Sequence, residues 1–479
     1  MTAKRVGFWA GLVVFTGMIA AGAPQGIGEQ AWQVAALTFL MAIWWMTEAL
    51  PLTVTALAPF LALPLFGVLT AKETAGQYYS PILFLILGGA FIALAIERTG
   101  LHKRVALAIL NRAGTSTAGL LLAFMIATAL LSMLISNTST SLIMIPIAVA
   151  VLAAGGVKDG ETDGMAGGLV MGIAFAASIG GLGTLVGSPT NAIAAGLINE
   201  QLGIEITFFA WMQFGVPTVL IAIPVCAFIL MRVQNVGASA FRTEAAREAI
   251  GDPGPWSVPE KRLVPVIALV VALWMTQPWL KTLFPAGAVT DGSIAILGGF
   301  LLFTIPDGSA GPDGGGSKNG RSRALLNWKE ADRAPWGVIM MFGGGLALAA
   351  GITGSGLAAW LGEALSPLSS VHPLIIAAAV VALVIVITEF ASNVATASGV
   401  IPVIAGLVAA TGADPWFLAM AASMAASWGF MLPSGTGPNA IAWSTGHIAL
   451  PRMLKAGLLL DLTGIPILIG ICWMISSFI

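Results

Sequence analysis

The chain has 479 residues, 57% of them hydrophobic and 9% charged, with a formal net charge of −1 and a mean hydropathy of +0.93. Soluble domains carry roughly 25% charged residues, so water is not this chain's main solvent, and nothing in its charge balance suits a nucleic-acid partner. Cys226 and Cys472 fall in apolar segments, His102, His372 and His447 are scattered, and no zinc-protease, nucleophile-elbow or phosphate-loop pattern occurs, so the chain is read as a non-enzyme without disulfides or thiolate metals.

Apolar stretches able to cross a hydrocarbon core of about 30 Å recur along the chain. After Lys4 and Arg5 the first runs over 6–23; its Ala21-Gly22-Ala23 end loosely imitates a signal-peptidase site, but the segment is read as a retained helix within an N-terminal unit 1–30. Further crossings are expected at 31–50, 52–70, 81–97, 165–198, 207–231, 263–280, 291–306, 335–353, 417–446 and 456–477. Two stretches, 117–153 and 372–411, read as hairpins that enter and leave on one side. The expected fold is therefore an all-α polytopic membrane protein of about eleven transmembrane helices plus two re-entrant hairpins. Two charged stretches, 235–262 and 307–334, read as solvated linkers, the second around a glycine-rich core at 311–317.

With the N-terminus cytoplasmic, 19 of the 21 basic residues fall on the inside, leaving Lys72 and Lys281 outside. That asymmetry places the C-terminus outside.

The chain also repeats itself. Trp45-Met46-Thr47 recurs as Trp274-Met275-Thr276, and Leu87-Gly88-Gly89-Ala90 as Phe342-Gly343-Gly344-Gly345. Ser136-Asn137-Thr138-Ser139-Thr140 recurs as Ser392-Asn393-Val394-Ala395-Thr396, and Ser188-Pro189-Thr190-Asn191 as Thr436-Gly437-Pro438-Asn439. The repeats are taken as 31–262 and 263–479; each holds five crossings, so the second lies inverted. Inverted repeats place a binding site near the membrane midplane, at their interface.

Both hairpins turn through polar tips in apolar surroundings. Backbone turning there must be buried in protein or line a cavity, where the amides opening the next half-helix suit an anion and the carbonyls before it suit a cation. One helical turn before each tip stand Ser132 and Thr388, and the broken crossings 165–198 and 417–446 bring Gly187-Ser188 and Gly435-Thr436 toward the tips. Such hard oxygen donors fit Na⁺ and no transition metal. No Lys or Arg lies near either tip, so an anion would be held by hydroxyls, amides, helix N-termini and bound cations. Small and hydroxyl residues in membrane helices usually serve packing, but two symmetric copies, each paired with a broken helix, argue for a site. Of the intramembrane carboxylates, Glu48 reads as structural, Asp461 as a packing or interfacial residue, and Glu389 as either cation support or structure.

At these motifs the chain resembles the divalent anion:sodium symporter family over nearly its whole length. The resemblance implies a homodimer in the bacterial inner membrane, embedded in lipid, whose transport domain slides as an elevator against a fixed scaffold. It implies Na⁺ as coupling ion, with one sodium near Ser132, Ser136, Asn137 and Gly187 and another near Thr388, Ser392, Asn393 and Gly435. A small dianion would lie among Ser136, Asn137, Thr138, Ser188, Ser392, Asn393, Val394, Thr436 and Gly437. The leading substrate class is a C4-dicarboxylate such as succinate, malate or fumarate; the alternatives are a sulfate or citrate carrier, or a sodium-independent dicarboxylate exchanger. Val394 replaces a threonine found in some members, and Leu185-Val186 and Gly437 stand where proline or isoleucine is commoner.

Overall fold

The computed structural model describes residues 3–112, 114, 116–238, 241–308 and 323–478. Among these the regular structure is helical apart from one isolated bridge, Pro306 to Ala324. The first half runs α1 (Ala3–Ala21), α2 (Glu29–Thr47), α3 (Leu52–Thr55), α4 (Ala58–Leu65), α5 (Ala71–Gln77), α6 (Pro81–Thr99), α7 (Leu101–Leu110), α8 (Thr117–Ser132), α9 (Asn137–Ala154), α10 (Met165–Gly181), α11 (Pro189–Leu202), α12 (Phe208–Gln234) and α13 (Thr243–Glu248). The second runs α14 (Val258–Leu280), α15 (Asp291–Thr304), α16 (Trp328–Ala331), α17 (Trp336–Gly354), α18 (Leu357–Leu365), α19 (Pro373–Phe390), α20 (Asn393–Thr411), α21 (Pro415–Ala425), α22 (Gly437–Ser444) and α23 (Leu450–Ser476).

Among the described residues nine helices are long and apolar enough to cross a membrane, and three of them are hairpin arms: α9, α19 and α20. The stretch 52–70, read as one crossing, is split into α3 and α4, because Pro59 has no amide to donate back to Thr55. Likewise α10/α11 and α21/α22 are each interrupted by an irregular segment, 182–188 and 426–436.

Each Gly-Gly helix packs against the other repeat. Along α6, a Cβ on Gly88 would lie 2.5 Å from the Ala295 carbonyl carbon of α15; along α17, one on Gly344 would lie 2.3 Å from the Ala56 oxygen that ends α3. Only glycine lets the backbones approach this closely, so one packing solution is used twice. Hairpin and broken helix form a second packed group: α8 lies on α10 so tightly that a Cβ on Gly180 would sit 2.4 Å from Ala129 Cα, and every residue of α10 is buried.

The stretch 235–262 is more fixed than a solvated linker. Arg104 on α7 donates to Glu260 at 2.8 Å and to the carbonyls of Gly254 and Pro255 at 2.9 and 2.7 Å, while its guanidinium lies 4.6 Å from the Trp256 ring centre. The planar five-donor fork makes this multiple grip possible. In the other linker, the Asp307 and Leu325 amides donate to the carbonyls of Arg323 and Ile305, so its two described ends pair with each other. The glycine-rich core at 311–317 lies outside the described residues.

Candidate functional site at the paired helix breaks

Ser136 caps α9 and Ser392 caps α20, each with extended-like backbone (φ −58°, ψ 147° and φ −64°, ψ 144°). Their hydroxyls accept the amides of Ser139 and Ala395, both at 3.2 Å, and their carbonyls accept those of Thr140 and Thr396. The first four amides of a helix have no partner within it, so those of Asn137 and Thr138, and of Asn393 and Val394, remain for a ligand.

Behind the first tip, oxygens converge. Ser132 Oγ, fully buried on α8, donates to the Ala177 carbonyl at 2.7 Å and stands 2.7 Å from the Asn137 side-chain oxygen. With the Asn137 amide turned over, its nitrogen would reach Ser132 Oγ at 2.7 Å and the carbonyls of Ala177 and Gly187 at 3.2 Å each. The amide therefore faces three oxygens. Turned nitrogen-in, its two N–H groups pair with two of them; turned oxygen-in, Asn137 Oδ1 joins the Ser132 hydroxyl and the two carbonyls in a group of four oxygens that suits a cation.

Behind the second tip the pattern returns. Thr388 Oγ1 lies 2.9 Å from Asn393 Oδ1 and donates to the Ala426 carbonyl at 2.7 Å. Gly435 runs alongside, where a Cβ would be 3.4 Å from the Glu389 carbonyl oxygen. Thus Ser132, Asn137 and Ala177 match Thr388, Asn393 and Ala426, with Gly187 beside the first set and Gly435 beside the Glu389 carbonyl next to the second.

The irregular segments are held in shape by side chains. Asn191 donates to the carbonyls of Gly181 and Thr184 at 2.7 and 2.8 Å, and Asn439 donates to Leu432 at 3.0 Å. Glu389 accepts the backbone amides of Met431 and Leu432 at 2.9 and 3.1 Å, so it clamps the second break. Of its two expected roles, cation support or structure, these bonds serve the structural one. Asp461, read as a packing or interfacial residue, is buried, and neither of its carboxyl oxygens has a hydrogen bond of ordinary geometry. The buried hydroxyls of Ser178 and Ser427, one residue past Ala177 and Ala426, are likewise unpartnered, as are the side-chain oxygens of Asn191 and Asn439. Such matched orphans are uncommon in a settled interior.

Ser188 and Thr436 cap α11 and α22, accepting the amides of Thr190 and Asn439 at 3.3 and 3.2 Å. Thr138 reaches α22, since a Cβ on Gly437 would be 2.5 Å from its Oγ1. Val394 is half-buried and packs against both apolar cores. A cavity of 220 Å³ is lined by Ser136, Ser139 and Ser188 together with Glu97 and Arg333, Glu97 lying about two turns along α6 from Gly89, which packs on Val186 beside Ser188. Ser392, Asn393 and Thr436 do not line it.

The part played by the Ala177 and Ala426 carbonyls, which accept Ser132 and Thr388, was not legible in the sequence, because a backbone acceptor carries no side-chain signature. Asn191 and Asn439 were visible as repeated letters, but their grip on the loops needed the geometry.

The family model for the sodium:sulfate symporter transmembrane region matches residues 2–478. The chain belongs to this family. It is 38% identical to the "Sodium-dependent dicarboxylate transporter SdcS" of Staphylococcus saprophyticus over 98% of this chain and 91% of that one. The protein of the same name from Staphylococcus aureus strain MRSA252 is 37% identical over 100% of this chain and 92% of its own length. Among solved structures, the YdaH transporter of Alcanivorax borkumensis superposes with a TM-score of 0.54 at 14% identity, over 100% of this chain and 98% of that one. That likeness concerns the fold.

Proposed function

We propose that the protein is a secondary transporter of the bacterial inner membrane that couples Na⁺ to the movement of a small dianion, with C4-dicarboxylates as the substrate class. The observation that carries this reading is the matched pair of oxygen groups, Ser132/Asn137/Ala177 with Gly187 and Thr388/Asn393/Ala426, each beside a hairpin tip. Neutral oxygens at such spacing suit a monovalent hard cation. The relatives' names, sodium-dependent dicarboxylate transporters, point the same way.

The dianion lies between the tips, on the open amides of α9 and α20 and the hydroxyls of Ser136, Thr138, Ser188, Ser392 and Thr436. No basic side chain is among these groups, so the two bound cations supply the attraction. Unit charges about 4 Å apart at an effective dielectric of about 20 attract by about 4 kcal/mol. Emptying the cation sites removes that attraction, which couples the ions without a direct bond between them.

Each hairpin with its broken helix forms the moving body, α6 and α15 with α3, α4 and α17 form the static one, and a homodimer holds the scaffold in the lipid. The basic-residue asymmetry sets the N-terminus inside. A disulfide between cysteines placed at Val157 and on the scaffold, in a background lacking Cys226 and Cys472, should stop uptake until reduced; full activity in the crosslinked protein would rule out this movement. The substrate assay is uptake of labelled succinate, sulfate and citrate into proteoliposomes under an inward sodium gradient. Succinate should dominate; uptake of sulfate alone would reassign the substrate to the anion in the family's description.

A further inference from the structure

The cavity that starts at Ser136, Ser139 and Ser188 ends at a charged mouth, and the charges there are unequally committed. Arg98 donates to Asp307 at 2.7 Å, pairs with Glu330 at 3.1 Å and also bonds the Ala324 carbonyl. Arg323 is likewise engaged with Glu330. Arg333 differs. Its guanidinium meets the Glu97 carboxylate at 3.7 Å, and 69% of its side chain is exposed. That separation is well beyond the roughly 2.7–2.9 Å of a charge-assisted hydrogen bond. Between this mouth and the serines the walls are apolar, with Leu85, Ile86, Ala90 and Ala93 contributed by α6. Low-dielectric walls concentrate the field of a charge placed at their rim.

We infer that Arg333 is an anion-binding station at the mouth of this cavity, where a carboxylate of the dianion replaces Glu97 as it enters or leaves. The inference rests on the transport reading above. A carboxylate free to approach can engage the guanidinium fork through two parallel bonds, which Glu97 does not do in its present geometry. Glu97 in turn acts as a built-in competitor: it occupies the guanidinium when no substrate is present and limits how long the dianion stays. The station would sit on the scaffold side, since Arg333 lies just before α17, while the serines at the other end belong to the hairpin and broken helix. It would thus hold an anion that has already left the moving body.

Two substitutions give opposite expectations. Removing the cation, Arg333→Gln, should raise the half-saturating succinate concentration about two- to fivefold, the range of one exposed ion-pair contact. Removing the competitor, Glu97→Gln, should lower it by a similar factor, and Arg333→Lys should fall between wild type and Arg333→Gln. Everted membrane vesicles present the basic, cytoplasmic face and right-side-out vesicles the other; the shifts should appear in the everted ones, with the sodium half-saturation, read at saturating succinate, unchanged in both. Wild-type vesicles that move no succinate would refute the C4-dicarboxylate reading on which the station rests. With wild-type transport intact, equal shifts at both faces, shifts of the same sign, or no shift in either variant would overturn the station. Should Arg333→Gln fail to reach the membrane, Glu97→Gln decides alone, and an unchanged half-saturation then overturns it.

Discussion

Ser132→Ala removes a single oxygen that serves two purposes. It donates to the Ala177 carbonyl at 2.7 Å and stands 2.7 Å from the Asn137 amide, and the residue is fully buried, so bulk water does not take its place. Leaving a buried acceptor unpaired costs about 1–3 kcal/mol. Part of that cost is common to the loaded and empty states and cancels; a residue of about 1–2 kcal/mol in cation affinity corresponds to roughly five- to thirtyfold. The half-saturating sodium concentration for succinate uptake should rise by that factor. Linkage requires a parallel rise in the succinate half-saturation at fixed, subsaturating sodium. Thr388→Ala should do the same through Ala426, whereas Thr388→Ser, which keeps the hydroxyl, should stay near wild type. The assay is labelled succinate uptake into proteoliposomes across a sodium series, with folding checked by size-exclusion profile. Unchanged sodium dependence in folded Ser132→Ala and Thr388→Ala would refute the reasoning.

A Cβ at Gly181 would lie 2.2 Å from Asn137 Oδ1, so Gly181→Ala should displace that amide and abolish uptake much as Asn137→Ala does; normal uptake would show that Asn137 is not a ligand. Glu389→Gln leaves one acceptor oxygen for the two amides of Met431 and Leu432, and should weaken sodium affinity about tenfold while surface expression holds, measured by the same sodium series. Val394→Thr restores one hydroxyl at a half-buried position, and competition among succinate, sulfate and citrate should shift by no more than about tenfold, the worth of one hydrogen bond.

The helical, membrane-spanning architecture could be read from hydropathy because lipid forces every spanning backbone to pair internally. The tips were legible because Ser136-Asn137 and Ser392-Asn393 put capping residues in the middle of apolar runs, where nothing but a helix start explains them. Three features were not legible. The split at Pro59 depends on one missing amide, and hydropathy averages over it. The Arg104 grip joins α7 to a segment about 150 residues away, a partnership no local pattern encodes. Finally, the carbonyls of Ala177 and Ala426 that accept the Ser132 and Thr388 hydroxyls sit in runs of small residues that look like ordinary close packing. Their role follows from where the chain puts them, opposite Ser132 and Thr388.

Both oxygen clusters should bind sodium, and their cations should travel with the dianion. Radiolabelled sodium entry into proteoliposomes, measured with and without external succinate and compared with succinate entry in the same preparation, tests this most directly. Succinate should drive sodium uptake with at least two ions per dianion, and Ser132→Ala and Thr388→Ala should each depress both fluxes together. Succinate entry that proceeds unchanged when potassium replaces sodium, or that carries no labelled sodium with it, would contradict the account.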